Sequence, residues 1–163
     1  MKFHDIDGEI RPLLELSDEY FSPRWLGRKL GGIRRFQGDP RALTVLEHSI
    51  LCAQEALAVG LDIHVAGWCL THDLAEAFLG DWHGPSKNAA QHAVELEVDA
   101  ALILKGWRIP PTGSRLVKMV DDHVYRCERR MMWPKVYGST SLKVERRWLD
   151  LVQELEVYHG NAG

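Results

Sequence analysis

The sequence predicts an all-α fold, and three observations carry that expectation. Helix starts, each a capping residue ahead of an apolar run, recur along the chain. Within those runs the apolar residues return three and four positions apart, which places them on one helical face. No segment keeps the apolar–polar alternation of a half-buried strand for more than a few residues. With 163 residues and no repeat, low-complexity tract or compositional break, one compact domain over 1–163 is expected.

The elements follow in order. Residues 1–20 carry no clear pattern. Ser22-Pro23 reads as an N-cap followed by proline at the first helical position, and Gly31-Gly32 as the stop. Ile33 to Pro40, rich in arginine and glycine, reads as a loop. Thr44 and Glu47 match a capping box, opening a helix with Leu46, Ile50, Ala53 and Leu57 at helical spacing and a stop at Gly60. Asp62 caps the next helix, expected to run unbroken through His72 and Asp73 to Gly80. A polar loop covers Asp81 to Lys87. Asn88 to Lys105 is expected as a helix ended by Gly106, and Pro110 to Gly113 as a turn. Ser114 to about Met132 forms the helix holding Asp121, and Ser141 to Tyr158 a final amphipathic one. That last helix serves either as a cover for the core or as a seam between copies, so a homo-oligomer is left open.

Charge and cysteines exclude some function classes. A net charge of −3 supplies no cationic face, so binding to polymeric nucleic acid is not expected. No run of about 18 apolar residues could cross a bilayer, and the first residues lack a signal pattern. Cys52, Cys69 and Cys127 are odd in number, lie in helical stretches and form no CxxC pair. Reduced core thiols in a cytoplasmic protein are the expectation.

The chemistry concentrates around His72-Asp73. On a continuous helix Glu76, four residues after the histidine, shares its face, with Asp73 about 100° round. His48 lies one helix earlier and Asp121 well downstream. Buried charges cost several kcal/mol unless paired or metal-bound. Two imidazoles and two carboxylates suit one divalent ion, Mn²⁺, Co²⁺, Fe²⁺, Ni²⁺, Zn²⁺ or Mg²⁺, rather than a thiophilic metal. Taken singly, His48 also reads as a core histidine, Glu76 as a surface glutamate, and Asp122 competes with Asp121.

The order His, His-Asp, Asp resembles the HD-domain metal-dependent phosphohydrolases. Val45 to Ser49 is similar to the segment bearing the first histidine, and His72-Asp73-Leu74-Ala75-Glu76 to the HDxxE form of the motif. Gly80-Asp81 with Pro85-Ser86-Lys87 resembles the loop of the nucleotidase-like members. Leu116 to Asp121 resembles the segment of the last ligand, and Arg35-Phe36-Gln37-Gly38 the segment before the first. These motifs span about residues 33–127. The likeness is nearest to bacterial 5′-deoxynucleotidases and small phage and bacterial relatives, including phage deoxyadenosine triphosphate triphosphohydrolases.

That resemblance implies an HD-type bundle with metal ligands His48, His72, Asp73 and Asp121. Glu76 would handle protons, and Asp81 would meet the water or a ribose hydroxyl, or else cap its turn. Arg35, Lys87 and Lys118 would grip phosphate, and Phe36 would face the base. The implied reaction turns a deoxyribonucleoside 5′-monophosphate into nucleoside and phosphate. The alternatives are release of triphosphate from a deoxynucleoside triphosphate, and a non-catalytic nucleotide-binding module on the same scaffold.

Overall fold

Side chains cap four helices where the sequence places them. Ser22 Oγ accepts from Trp25 N at 3.2 Å. Thr44 Oγ1 accepts from Glu47 N at 3.2 Å while Glu47 Oε2 accepts from Thr44 N at 2.8 Å, a reciprocal box. Asp62 Oδ1 accepts from His64 N at 2.7 Å, and Asn88 and Gln91 form a second box at 2.9 Å each way. The computed structural model describes residues 2–4, 9–81, 88–131 and 141–160. Within them the chain is all-α. Its helices are α1 (Pro23–Gly32), α2 (Arg35–Gly38), α3 (Val45–Ala58), α4 (Ile63–Thr71), α5 (Glu76–Leu79), α6 (Ala89–Leu104), α7 (Arg115–Met131) and α8 (Ser141–Glu154).

Five differences from the sequence reading are local. The unplaced N-terminus carries an antiparallel pair, β1 (Lys2–His4) with β2 (Ile10–Pro12), Phe3 opposite Arg11. Two 3-10 turns, Leu13–Glu15 and Asp18–Phe21, follow it. The expected loop at 33–40 contains the one-turn α2. The helix expected to run from Asp62 to Gly80 is broken at the His-Asp pair. α4 ends at Thr71, residues 72–75 form a turn, and α5 begins at Glu76.

The last helix stops at Glu154 rather than Tyr158. Glu156 takes a left-handed φ of 47°. Its N–H reaches Gln153 O at 3.2 Å, and Val157 N reaches Val152 O at 3.3 Å. This is a Schellman stop, with Val157 and Val152 both buried, built without the usual glycine.

α3 sits at the centre, packed on α1, α4, α7 and α8. It can do so because it is apolar on nearly every face: Val45, Leu46, Ile50, Cys52, Ala53 and Ala56 are all buried. On one side α8 lays Trp148, fully enclosed, against α1, and its Nε1–H donates to Pro23 O at 2.8 Å. Gly27 makes that approach possible, since a Cβ there would lie 2.6 Å from Trp148 Cδ1. Nearby Trp107 donates from Nε1 to Phe21 O at 2.8 Å. Among the described residues no helix is long and apolar enough to cross a membrane.

Candidate metal centre

α3, α4 and α7 meet on the other side of α3, and each presents polar groups to the contact. His48 lies on α3 with no exposed surface. Its Nε2 stands 3.2 Å from Asp121 Oδ1 and 3.9 Å from Asp73 Oδ2. His72 Nε2 stands 3.2 Å from Asp73 Oδ2 and 3.9 Å from Asp121 Oδ1. The two imidazole centroids are 5.4 Å apart. All four residues that the sequence nominated as ligands therefore converge.

The break in the α4–α5 run shapes this convergence. From Leu74 to Phe78 the backbone bonds run to the third residue back: Leu74 N to Thr71 O at 3.2 Å, Glu76 N to Asp73 O at 3.0 Å, Ala77 N to Leu74 O at 3.1 Å. Such winding has three residues per turn, so Asp73 and Glu76 lie one above the other. The expected α-helical face pairing of His72 with Glu76 is replaced by this one. Thr71 marks the change. Its hydroxyl lies 2.7 Å from Arg108 O and 3.1 Å from Gly67 O, tying the end of α4 to the segment after α6 and loosening its last turn.

α7 supplies a stripe. Lys118, Asp121, Tyr125 and Glu128 recur at helical spacing, while Val117, Val120 and Val124 fill the core beside them. Glu128, buried, meets His48 Nδ1 at 2.8 Å. With that carboxylate accepting from Nδ1, the ring is fixed so that Nε2 faces Asp121 and Asp73. His72 is oriented likewise: its Nδ1 donates to Cys69 O at 2.7 Å. His72 Nε2 is buried and has no hydrogen-bond partner of acceptable geometry.

Arg35 closes the ring. Residues 33–35 are pinned to the start of α3 by Arg35 N to Leu43 O at 3.0 Å and Val45 N to Ile33 O at 2.9 Å. From there the guanidinium reaches Asp73 Oδ2 with Nη1 at 3.3 Å and lies with Nε 3.4 Å from Glu128 Oε2. Burial works against its charge most strongly, but Asp73, Glu128, Glu76 and Asp121 together hold its pKa above the ordinary value. Burial likewise opposes the His72 cation, yet Asp73 and then Asp121 raise its pKa to about 9. Burial would raise Asp73, but His72, His48 and Arg35 hold it far below the usual carboxylate range. Asp121 is lowered too, against its burial, by the His48 hydrogen bond and His72. Without a metal, then, a proton on His72 balances the carboxylates.

Two residues in this centre escaped the sequence reading. Glu128 lies seven residues after Asp121, and Cys52 lies four after His48; both spacings hold a residue on the same helical face. Cys52 is fully buried, with Sγ 3.4 Å from His48 Nε2. Burial first, then Asp121 and Asp73, push its thiol pKa well above the ordinary value. His48, Cys52, His72 and Asp121 each offer one donor atom, all within 4.8 Å of one another, and could hold a metal ion. The buried Nε2 of His72, which lacks a hydrogen-bond partner and can give up its proton to an ion, and the mixed N/O/S donor set fit such an ion.

The remaining nominated residues sit as follows. Glu76 is buried at the start of α5, close enough to Arg35 to act on its charge. Asp81 is half-buried just past Gly80 and is not among the converging groups. Lys118 is largely exposed at the rim, its Nζ 3.6 Å from Asp121 Oδ2 and 2.6 Å from Asp122 Oδ1. Asp122 is thus the partner of Lys118, and Asp121 the member of the cluster. Phe36 stacks on Tyr125 with centroids 5.5 Å apart and planes 17° off parallel. Lys87 lies outside the described residues, as do Pro85, Ser86 and Trp82. His92 and His123 are exposed, face Glu95 and Glu55, and are not among the converging donors.

No family model and no curated protein matches this sequence.

Proposed function

We propose that the chain is an HD-type, metal-dependent phosphohydrolase that acts on nucleotides. Its favoured reaction is hydrolysis of a deoxyribonucleoside 5′-monophosphate to nucleoside and phosphate, in a cytoplasmic setting that suits its free thiols. The observation that carries this reading is the convergence of His48, His72, Asp73 and Asp121, 73 positions apart in sequence at the extremes, to separations of 3.2–3.9 Å. Titratable groups with perturbed pKa values cluster at functional sites. A divalent cation held there would supply a low-pKa water and offset charge growing on the phosphoryl oxygens.

The chain's own groups divide the remaining work. Glu76, one 3-10 turn after Asp73, accepts a proton from the attacking water and returns it to the leaving oxygen. Arg35, buried, and Lys118, at the rim, bring positive charge to the site to meet phosphate oxygens. The Phe36–Tyr125 stack, beside Arg35 and on the Asp121 stripe, offers an aromatic edge for a base.

The test has two parts. Metal analysis should find one tightly held divalent ion per chain, lost in His72→Ala and Asp121→Ala; full occupancy in both variants would remove the site assignment. A deoxynucleotide screen resolving phosphate from triphosphate should then show phosphate released from monophosphates. Triphosphate released from deoxyadenosine triphosphate would move the reading to a triphosphohydrolase. Nucleotide binding with no product would leave a non-catalytic module.

A further inference from the structure

We propose that Cys52 is itself a metal ligand, joining His48, His72 and Asp121 as a thiolate and making the site select zinc, cobalt or ferrous iron over magnesium or manganese. The inference rests on the metal reading of the site above.

Three observations support it. Cys52 Sγ lies 3.4 Å from His48 Nε2, the ring nitrogen left facing the cluster once Glu128 occupies Nδ1. An imidazole nitrogen and a thiolate bound to one tetrahedral ion stand about 3.6 Å apart, given bonds of about 2.05 and 2.3 Å. Little movement is needed to bring both onto a common centre. Second, His72 Nε2 is buried in the same space without a hydrogen-bond partner, and its distance to Cys52 falls within the 4.8 Å shared by all four donors. Third, Asp73 Oδ2 is shared with the Arg35 Nη1–H at 3.3 Å, so the thiolate adds a donor that Arg35 does not draw on.

The chemistry balances simply. As the ion enters, the Cys52 S–H bond breaks, the proton passes to buffer, and a metal–sulfur bond forms with no change of oxidation state. Thiolate ligation is strong for zinc, cobalt(II) and iron(II) and poor for magnesium, which prefers oxygen.

Cobalt(II) reads this directly, because a cobalt–thiolate bond gives a near-ultraviolet charge-transfer band that nitrogen and oxygen ligands do not. The expected result is that band in the cobalt-loaded chain and its loss in Cys52→Ser and Cys52→Ala. The double variant Cys69→Ala/Cys127→Ser, which leaves Cys52 as the only thiol, should keep it. That arm needs no change at Cys52, so the proposal stays testable if the Cys52 variants fail to fold. Bound cobalt without the band, or a band that survives in Cys52→Ala, overturns the inference and leaves the metal site standing. No cobalt bound at all overturns the metal reading, and this inference with it.

Discussion

Trp148 and His48 are equally shut off from solvent, yet different physics holds each of them. Trp148 fills a space between α8 and α1 that Gly27 keeps open, and its only polar atom is satisfied by one carbonyl. The indole itself does not titrate. His48 sits among Glu128, Asp121, Asp73 and, through them, Arg35 and His72, where the protonation state decides whether groups attract or repel. The aromatic seam should therefore set how stable the fold is. The polar centre should set what the protein binds and at what pH. Buried ion networks are weak stabilisers in general, since desolvation offsets much of the attraction, whereas an enclosed indole contributes most of its burial.

The comparison can be broken from either side. The largest expected effect is at the centre: Glu76→Gln should keep the fold and the metal and lower turnover by about 10²–10⁴-fold. Near-normal kcat in the purified, metal-loaded variant would take Glu76 out of the mechanism. The seam counterpart is Trp148→Ala, expected to cost about 3–5 kcal/mol in urea unfolding. Metal affinity of the folded variant should stay unchanged, and a matching loss there would mean that the two regions are coupled.

Glu128→Gln sharpens the contrast. It keeps the shape and the hydrogen bond but removes the charge that fixes the His48 tautomer. Metal affinity should fall about 10–100-fold, and the unfolding midpoint of the metal-free protein should also drop, since buried Arg35 loses a counter-charge. A change in the midpoint alone would make Glu128 a packing residue.

The pH dependence is smaller per step and has a definite sign. His72 has a folded pKa of about 9 against an ordinary 6.5, so its contribution to the metal-free fold is complete below 6.5. It is lost as pH rises through about 9, at up to about 1.4 kcal/mol per pH unit. Asp73 and Asp121, lowered by folding, contribute above the usual carboxylate range and lose that contribution on acidification. Metal must displace the His72 proton, so affinity should rise by up to about tenfold per pH unit over the same alkaline window. Titrating metal at several pH values checks this, and a flat profile would show that His72 enters the complex without losing a proton.

Much of the fold is written in local chemistry, and those parts were legible. Ser22, Thr44, Asp62 and Asn88 announce helix starts because their side chains satisfy N–H groups a few residues ahead. Gly60 and Gly106 announce stops, each with a positive φ. The Glu156 stop was hidden because its left-handed residue is not glycine. The split of α4 from α5 was hidden because Thr71 bonds a carbonyl of residue 108, a partner distant in sequence. At the site, His48, His72, Asp73 and Asp121 were readable as residue types at recognisable intervals. Cys52 and Glu128 were not, because thiol and carboxylate acquire meaning there only once α3 and α7 pack together.

Phe36 carries a last consequence, for mutational tolerance. Its φ of 55° lies in the left-handed region, which costs a residue with a Cβ about 1–2 kcal/mol. Scanning mutagenesis treats alanine as the neutral truncation and glycine as the harmful one. At this position the ranking should invert. Phe36→Ala and Phe36→Gly lose the same ring from Tyr125, but only glycine sheds the backbone cost. The glycine variant should unfold at the higher urea concentration, by about 1 kcal/mol. An alanine variant that is the more stable of the two would show that α2 relaxes its backbone once the ring is gone.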